Sequence, residues 1–308
     1  MYTIYDLNKA LSSATDESGG TKAKEWITFD FNGCVELRIL YKMGRKGTGE
    51  NWAEKVTCEL AELINLPHAK YEFGCLDTEG HEDEKYCVIT PKFQRDDEEL
   101  FLGNLLIKGF DRGQRFRNNT YTLRAILASI NGCDRFPWKG HDHKVIRTAQ
   151  DLLIGYLCFD GWVCNTDRHD ENWGIIVNEK LGLKTLAPTF DHASSLGRNE
   201  NDEKRVKRMN STDKGFNVEG YVKKAITPIY NENEQRLNAI DVVKECLNIN
   251  EDATVFWIKR IIDTMSNEVK IKNIFDCIPN ELISNPAKKF ALEILKETKN
   301  SLKGLLDE

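Results

Sequence analysis

The chain has 308 residues, of which 40% are hydrophobic and 30% charged, and its formal charge is −6. That length suggests about two domains of roughly 150 residues each, with enough apolar material for a core that needs no disulfide or metal staple, and the composition excludes disordered and collagen-like chains. The negative balance argues against a protein that coats nucleic acid; nine cysteines with no CxxC pair read as free thiols in a reducing cytoplasm; the longest apolar run, 152–159, is too short to span a membrane.

From the N-terminus, residues 26–29 and 35–41 are rich in β-branched and aromatic side chains and read as strands. Residues 50–64 read as a helix, because Trp52, Val56, Leu60, Leu63 and Ile64 recur at spacings of three and four. Two more strand patterns, 70–75 and 86–90, flank the acidic run 77–84, a solvated hairpin tip by its charge. Beyond Gln94-Arg-Asp-Asp-Glu-Glu99 the texture changes to long helical patterns, which places a domain boundary at 95/96. Residues 149–164 are apolar nearly all round, the mark of a helix buried on every side. A hairpin pattern follows over 173–177 and 183–186, then helices near 238–247, 253–265 and 287–305. A small β-rich lobe with one main helix (1–95), then a larger helical lobe (96–308), is the bilobal α+β layout of a protein kinase.

The chemistry concentrates between the buried helix and the hairpin, in Asn165-Thr-Asp-Arg-His-Asp-Glu-Asn172. Phosphoryl transfer needs a carboxylate to orient and deprotonate the attacking hydroxyl, and an oxygen ligand for Mg²⁺. Kinases supply both from one loop as Asp and Asn five positions apart, and Asp167 and Asn172 have that spacing. A kinase's second metal-binding aspartate directly follows the next hairpin. Asp191 stands there, closing Leu186-Ala-Pro-Thr-Phe-Asp191.

The first lobe should supply a lysine and a phosphate cover. Lys42 ends the strand pattern 35–41, and the helix with Glu50 and Glu54 follows at once, the order in which a lysine–glutamate pair positions the α- and β-phosphates. Both glutamates flank the apolar face of the helix, so spacing does not choose between them. Gly44-Arg-Lys-Gly-Thr-Gly49 has the outer spacing of a Walker A loop, but Glu50-Asn51 stands where Lys-Ser/Thr is required, which excludes it. Gly19, Gly20 and Thr21, ahead of two strands, suit a phosphate cover; backbone at Pro91 and Phe93, where the lobes join, suits adenine. His141-Asp-His143 lacks a fourth ligand at helical spacing and reads as a polar loop. The basic run Lys204-Arg-Val-Lys-Arg208 reads either as a grip for an acidic substrate or phosphorylated loop, or as a solvated face.

These motifs resemble HipA-like serine/threonine kinases. Asn165–Asn172 and Leu186–Asp191 look like that family's catalytic loop and metal motif. Glu50-Asn-Trp-Ala-Glu-Lys55 running into Glu59-Leu-Ala-Glu-Leu-Ile-Asn-Leu-Pro67 resembles its first-lobe helix, an alignment that favours Glu54. Ser18-Gly-Gly-Thr-Lys-Ala-Lys-Glu-Trp26 resembles its ejectable phosphate loop, and Phe290-Ala-Leu-Glu-Ile-Leu295 its last helix. The resemblance implies an ATP- and Mg²⁺-dependent kinase with Asp167 as base, and with Lys42 and Glu54 at the phosphates. It places Gly19, Gly20, Thr21, Pro91, Phe93 and His169 around the nucleotide, and Asn172 and Asp191 on the metal. It implies self-modification at Ser18 or Thr21, a protein substrate, and a toxin–antitoxin setting with an antitoxin or repressor protein as partner, without direct nucleic-acid or membrane binding. Full-length toxins of the family carry a subdomain ahead of the kinase core, so this sequence resembles a short form. Asp191-His192 stands where ordinary protein kinases have Asp-Phe-Gly. Asp-Arg-His-x-x-Asn also occurs in phosphoinositide kinases; a lipid or small-molecule kinase, and a kinase-shaped binding partner without chemistry, are the alternatives.

Overall fold

A computed structural model describes residues 1–8, 10, 15–16, 24–30, 36–76, 85–107, 119–137 and 144–307. The first sheet contains β1 (Ile4–Asp6), β2 (Thr15–Asp16), β3 (Lys24–Asp30), β4 (Glu36–Met43), β5 (Glu72–Cys75) and β6 (Tyr86–Pro91), in the order β1-β5-β6-β4-β3-β2. Only the β1–β5 pairing is parallel. Helix α1 (Glu50–Leu63) connects β4 to β5.

Strand β4 is bonded on both edges, and its ladder continues to Met43 because Lys42 pairs with Lys24 on one side and Val88 on the other. Lys42 therefore sits within a strand, not at its end. Alternation along β4 sends successive side chains to opposite faces. Ile39 and Tyr41 enter a small core with Leu7, Ile27, Leu76, Cys87 and Ile89. Lys42 takes the other face together with its partner Val88, which packs into the same core as Trp52, Val56 and Leu60 of α1.

After Pro91 come β7 (Glu99–Leu102), the short α2 (Gly103–Leu106), α3 (Leu123–Ser129), α4 (Ala149–Val163), β8 (Gly174–Asn178) and β9 (Leu183–Leu186). Then follow α5 (Asp202–Asn210), α6 (Val218–Lys223), β10 (Ile226–Tyr230), β11 (Arg236–Asn238), α7 (Ala239–Ile249), α8 (Glu251–Met265), α9 (Glu268–Asp276) and α10 (Asn285–Asp307). The expected hairpin is β8–β9, with β7 added to form a three-stranded antiparallel sheet. The basic run 204–208 lies within helix α5.

Helix α4 is the centre of this part, packed by α7, α8 and α10. Every residue of α4 except Gln150 is buried. Gly155 and Gly161 let neighbours approach: a methyl at Gly155 would collide with the Trp257 indole, and one at Gly161 would reach Val243. A capping box between Thr148 and Asp151 starts the helix. Cys164 ends it in the left-handed region, at φ 56°. The eight described cysteines are free thiols, and burial pushes Cys164 up to about 12. Among the described residues no helix is long and apolar enough to cross a membrane. The architecture is α+β, as expected.

Candidate active site

The loop leaving α4 is anchored on both sides of Asp167. Asn165 is fully buried; its Nδ2 donates to Asp160 Oδ1 at 2.8 Å, and its Oδ1 accepts the Asp167 N–H at 3.1 Å. Arg168, also buried, donates from Nε and Nη2 to the two oxygens of Asp160, at 2.6 and 2.8 Å. With Asn165 and Arg168 pulled inward on either side, the Asp167 side chain is left 52% exposed. Asn172 closes the loop: its Nδ2 donates to the Asp167 carbonyl at 2.6 Å, and this leaves its amide oxygen for a cation. His169 lies beside the same carboxylate, with Nδ1 accepting the Glu171 N–H at 3.1 Å and Nε2 3.9 Å from Asp167 Oδ1.

Arg168 also reaches the segment after β9. It donates to the Phe190 carbonyl at 3.1 Å and to Thr189 Oγ1 at 3.0 Å, and its Nη2 is 2.9 Å from His192 Nε2. Because a guanidinium only donates, His192 Nε2 accepts. Burial first, and then the Arg168 charge, hold His192 well below the usual histidine range, so it stays neutral. Backbone bonds fix the same segment to the turn after α1: Thr189 N–H donates to the Pro67 carbonyl at 3.0 Å, and Ala69 N–H to the Thr189 carbonyl at 2.9 Å.

Asp191 is thereby presented to the sheet. Its backbone is left-handed, φ 59°, a conformation that aspartate tolerates better than most residues. Its N–H donates to Tyr71 Oη at 3.3 Å, and its carboxylate lies 3.4 Å from Lys42 Nζ. Burial alone would pull Lys42 down, but Asp191, Tyr71 and Glu54 more than offset it and hold the amine cationic. Glu54 Oε1 accepts the His192 N–H at 2.8 Å. Glu50, the other candidate, is engaged elsewhere, with Arg45 at 3.2 Å and with Arg198. The Glu54 charge acts on Lys42.

Lys42, Glu54 and Asp191 thus converge, with Asp167, His169 and Asn172 gathered in the loop that Arg168 joins to the same segment. Pro91 ends β6 opposite Ile39, and Phe93 stacks on Phe190 with ring centroids 5.8 Å apart, next to Asp191. Ser18, Gly19, Gly20 and Thr21 lie outside the described residues, as do the acidic run 77–84 and His141-Asp-His143. In the basic run, Arg205 is buried, bonded to Asp202 at 2.7 Å and to the carbonyls of Gly197 and Arg198; Arg208 binds Glu200 and the Phe216 carbonyl. Those two cations serve the fold.

The donor set suits magnesium. Among the described residues there is no cluster of three or more His, Cys, Asp or Glu that could hold a metal. One carboxylate and one amide oxygen, from Asp191 and Asn172, are the few hard ligands that Mg²⁺ takes when substrate phosphates complete its shell. Sequence reasoning missed Arg168, Asp160 and His192. Asp160 was detectable: a carboxylate within a helix buried all round must have a cationic or hydrogen-bonding partner.

No protein-family model matches the chain, and no curated protein matches it in sequence. Among solved structures, that of a Helicobacter pylori proinflammatory kinase, CtkA, superposes with a TM-score of 0.74 at 19% identity, covering 99% of each chain. The toxin HipA of Shewanella oneidensis MR-1, solved with HipB and its operator DNA, gives a TM-score of 0.52 at 11% identity over 96% of this chain. The chain spans 66% of the length of that HipA chain. The fold is kinase-like, of the kind these two proteins share.

Proposed function

We propose that the chain is an ATP- and Mg²⁺-dependent serine/threonine protein kinase. The observation that carries this reading is the convergence of Lys42, Glu54 and Asp191 from a strand, a helix and a left-handed turn. A scaffold without chemistry has no use for a lysine kept cationic beside a carboxylate at the mouth of such a loop.

Lys42 binds the α- and β-phosphates, oriented by Glu54, and exchanges its contact with Asp191 for them as nucleotide enters. Asp191 and Asn172 hold Mg²⁺, which neutralises phosphate charge when bound. Asp167, exposed at the loop tip, orients the acceptor hydroxyl and takes its proton as the oxygen attacks. His169 lines the same edge of the site. Phe93 and the backbone of Pro91 meet the adenine, and Gly19, Gly20 and Thr21 cover the phosphates, with Ser18 or Thr21 as the self-modified hydroxyl. The acceptor is a protein in the cytoplasm, and an antitoxin or repressor protein is the partner by analogy with the HipA complex.

Mass spectrometry after incubation with Mg-ATP, alone and with cell lysate, tests this. Phosphate is expected on serine or threonine of the chain or of a lysate protein. Asp167→Asn should lower transfer by about 10²–10⁴-fold with an unchanged melting temperature, since an exposed side chain adds little packing. Transfer to phosphoinositide or aminoglycoside acceptors instead of protein, or full activity in Asp167→Asn, would overturn it.

A further inference from the structure

Asp167 is gripped by one of its two oxygens. Ser194 Oγ donates to Asp167 Oδ2 at 3.4 Å, and Arg198 Nη2 donates to Ser194 Oγ at 2.9 Å. The other end of the guanidinium, Nη1, pairs with Glu50 Oε1 in the first turn of α1. The Arg198 side chain is only 8% exposed and that of Glu50 2%, so the pair is shielded from water. Main chain doubles the connection, with Gly49 N–H donating to the Arg198 carbonyl at 3.0 Å and Thr166 N–H to the Ser194 carbonyl at 3.4 Å.

We propose that Ser194 and Arg198 form a positioning relay that sets the Asp167 carboxylate from the N-terminal end of α1; the proposal rests on the kinase reading above. The direction of each bond follows from valence. An arginine only donates, so Ser194 must accept from it, and the single hydroxyl proton is then committed to Asp167 Oδ2. Oδ1 remains for the acceptor hydroxyl. The 3.4 Å separation is long for two oxygens, and catalytic hydrogen bonds commonly tighten only when substrate arrives. Helix α1 consequently holds the site at two levels. Glu50 in its first turn sets the base through Arg198, while Glu54, one turn on, accepts the His192 N–H after Asp191 and adds its charge to those acting on Lys42. A displacement of α1 releases proton acceptor and phosphate anchor together.

Steady-state kinetics of the full chain separate this relay from simple structural support. Ser194→Ala should lower kcat roughly tenfold, the worth of one hydrogen bond to a charged group. KM for ATP and the melting temperature should not move, because neither nucleotide contact nor core packing is touched. Ser194→Thr, which keeps the hydroxyl, should restore kcat. Arg198→Lys, a point charge that cannot bridge Glu50 and Ser194, should match Ser194→Ala, and the double variant should be no slower than either alone. Should Arg198→Lys fail to fold, the Ala and Thr variants of Ser194 decide. An active wild type with Ser194→Ala at full kcat, or with additive losses, overturns the relay alone. A wild type that transfers no phosphate removes the kinase reading and the relay with it.

Discussion

Arg168 is the best-connected side chain of the site and touches no reacting group. Its charge is neutralised by Asp160 through two bonds, and its remaining contacts fasten the Asn172 carbonyl and three residues around Asp191, namely Thr189, Phe190 and His192. A buried guanidinium that loses its carboxylate stays charged and unpaired, which costs about 3–5 kcal/mol. Asp160→Asn should therefore lower unfolding free energy by about that amount in urea, although Asp160 lies on a helix behind the site. A second residue-scale consequence concerns acid. His68 donates from Nδ1 to the Leu66 carbonyl at 2.6 Å, and burial, aided by the Lys70 charge, holds its pKa below 6.5 despite nearby Glu62. Above about pH 6.5 it is neutral both folded and unfolded and contributes no pH dependence. As pH falls below that, the unfolded chain takes up a proton that the folded site resists, so stability is lost on the acid side. Melting temperatures from pH 7 down to 5 should decline less steeply in His68→Asn, whose amide can still donate to Leu66.

Among the helices, packing decides what a substitution does more than helix propensity. Ala is favoured over Gly in a helix by about 1 kcal/mol. Gly304, in α10, has open space around it, and Gly304→Ala should gain most of that. Gly155, in α4, abuts Trp257, and Gly155→Ala should lose about 1–3 kcal/mol by overpacking, with opposite shifts in the urea midpoints of the two variants. The same contrast explains which elements were legible beforehand. Helix α1 repeats its apolar residues every three or four positions, and α4 is apolar all round; either pattern survives without tertiary information. Helix α5, Asp-Glu-Lys-Arg-Val-Lys-Arg-Met-Asn, has only Val206 and Met209 as apolar members, and it is held by its Asn201 cap and by Arg205, so no stripe announces it. Strand β7 is four residues beside an acidic run and is fixed by pairing with β8. Within the site, the loop and the Asp191 turn were readable from their own spacing. What separates the two glutamates, Glu50 held by Arg45 and Arg198 and Glu54 by the His192 N–H, was not readable from spacing, because Arg198 stands 148 positions from Glu50.

Over the whole molecule, the proposed nucleotide site draws on the first sheet, on α1, and on the loop and turn around β8–β9. Ligand that bridges such parts stabilises them jointly by mass action, by about 2.7 kcal/mol at a concentration a hundred times Kd. Mg-ATP should therefore raise the melting temperature by several degrees. ATP without Mg²⁺ should not, and the shift should vanish in Asp191→Ala. A wild-type shift of the same size in EDTA would show that Asp191 and Asn172 hold no metal.

The seam between the turn after α1 and the Asp191 segment is drawn in main chain: Pro67 carbonyl to Thr189 N–H, Thr189 carbonyl to Ala69 N–H. Bonds of this kind are blind to side-chain identity. Genetic drift at 67, 69 or 189 leaves both in place, and of the twenty residues only proline, at 69 or 189, deletes one. The alignment of the two segments is therefore inherited independently of the side chains around them, which are left free to diversify while the frame that carries Asp191 stays fixed.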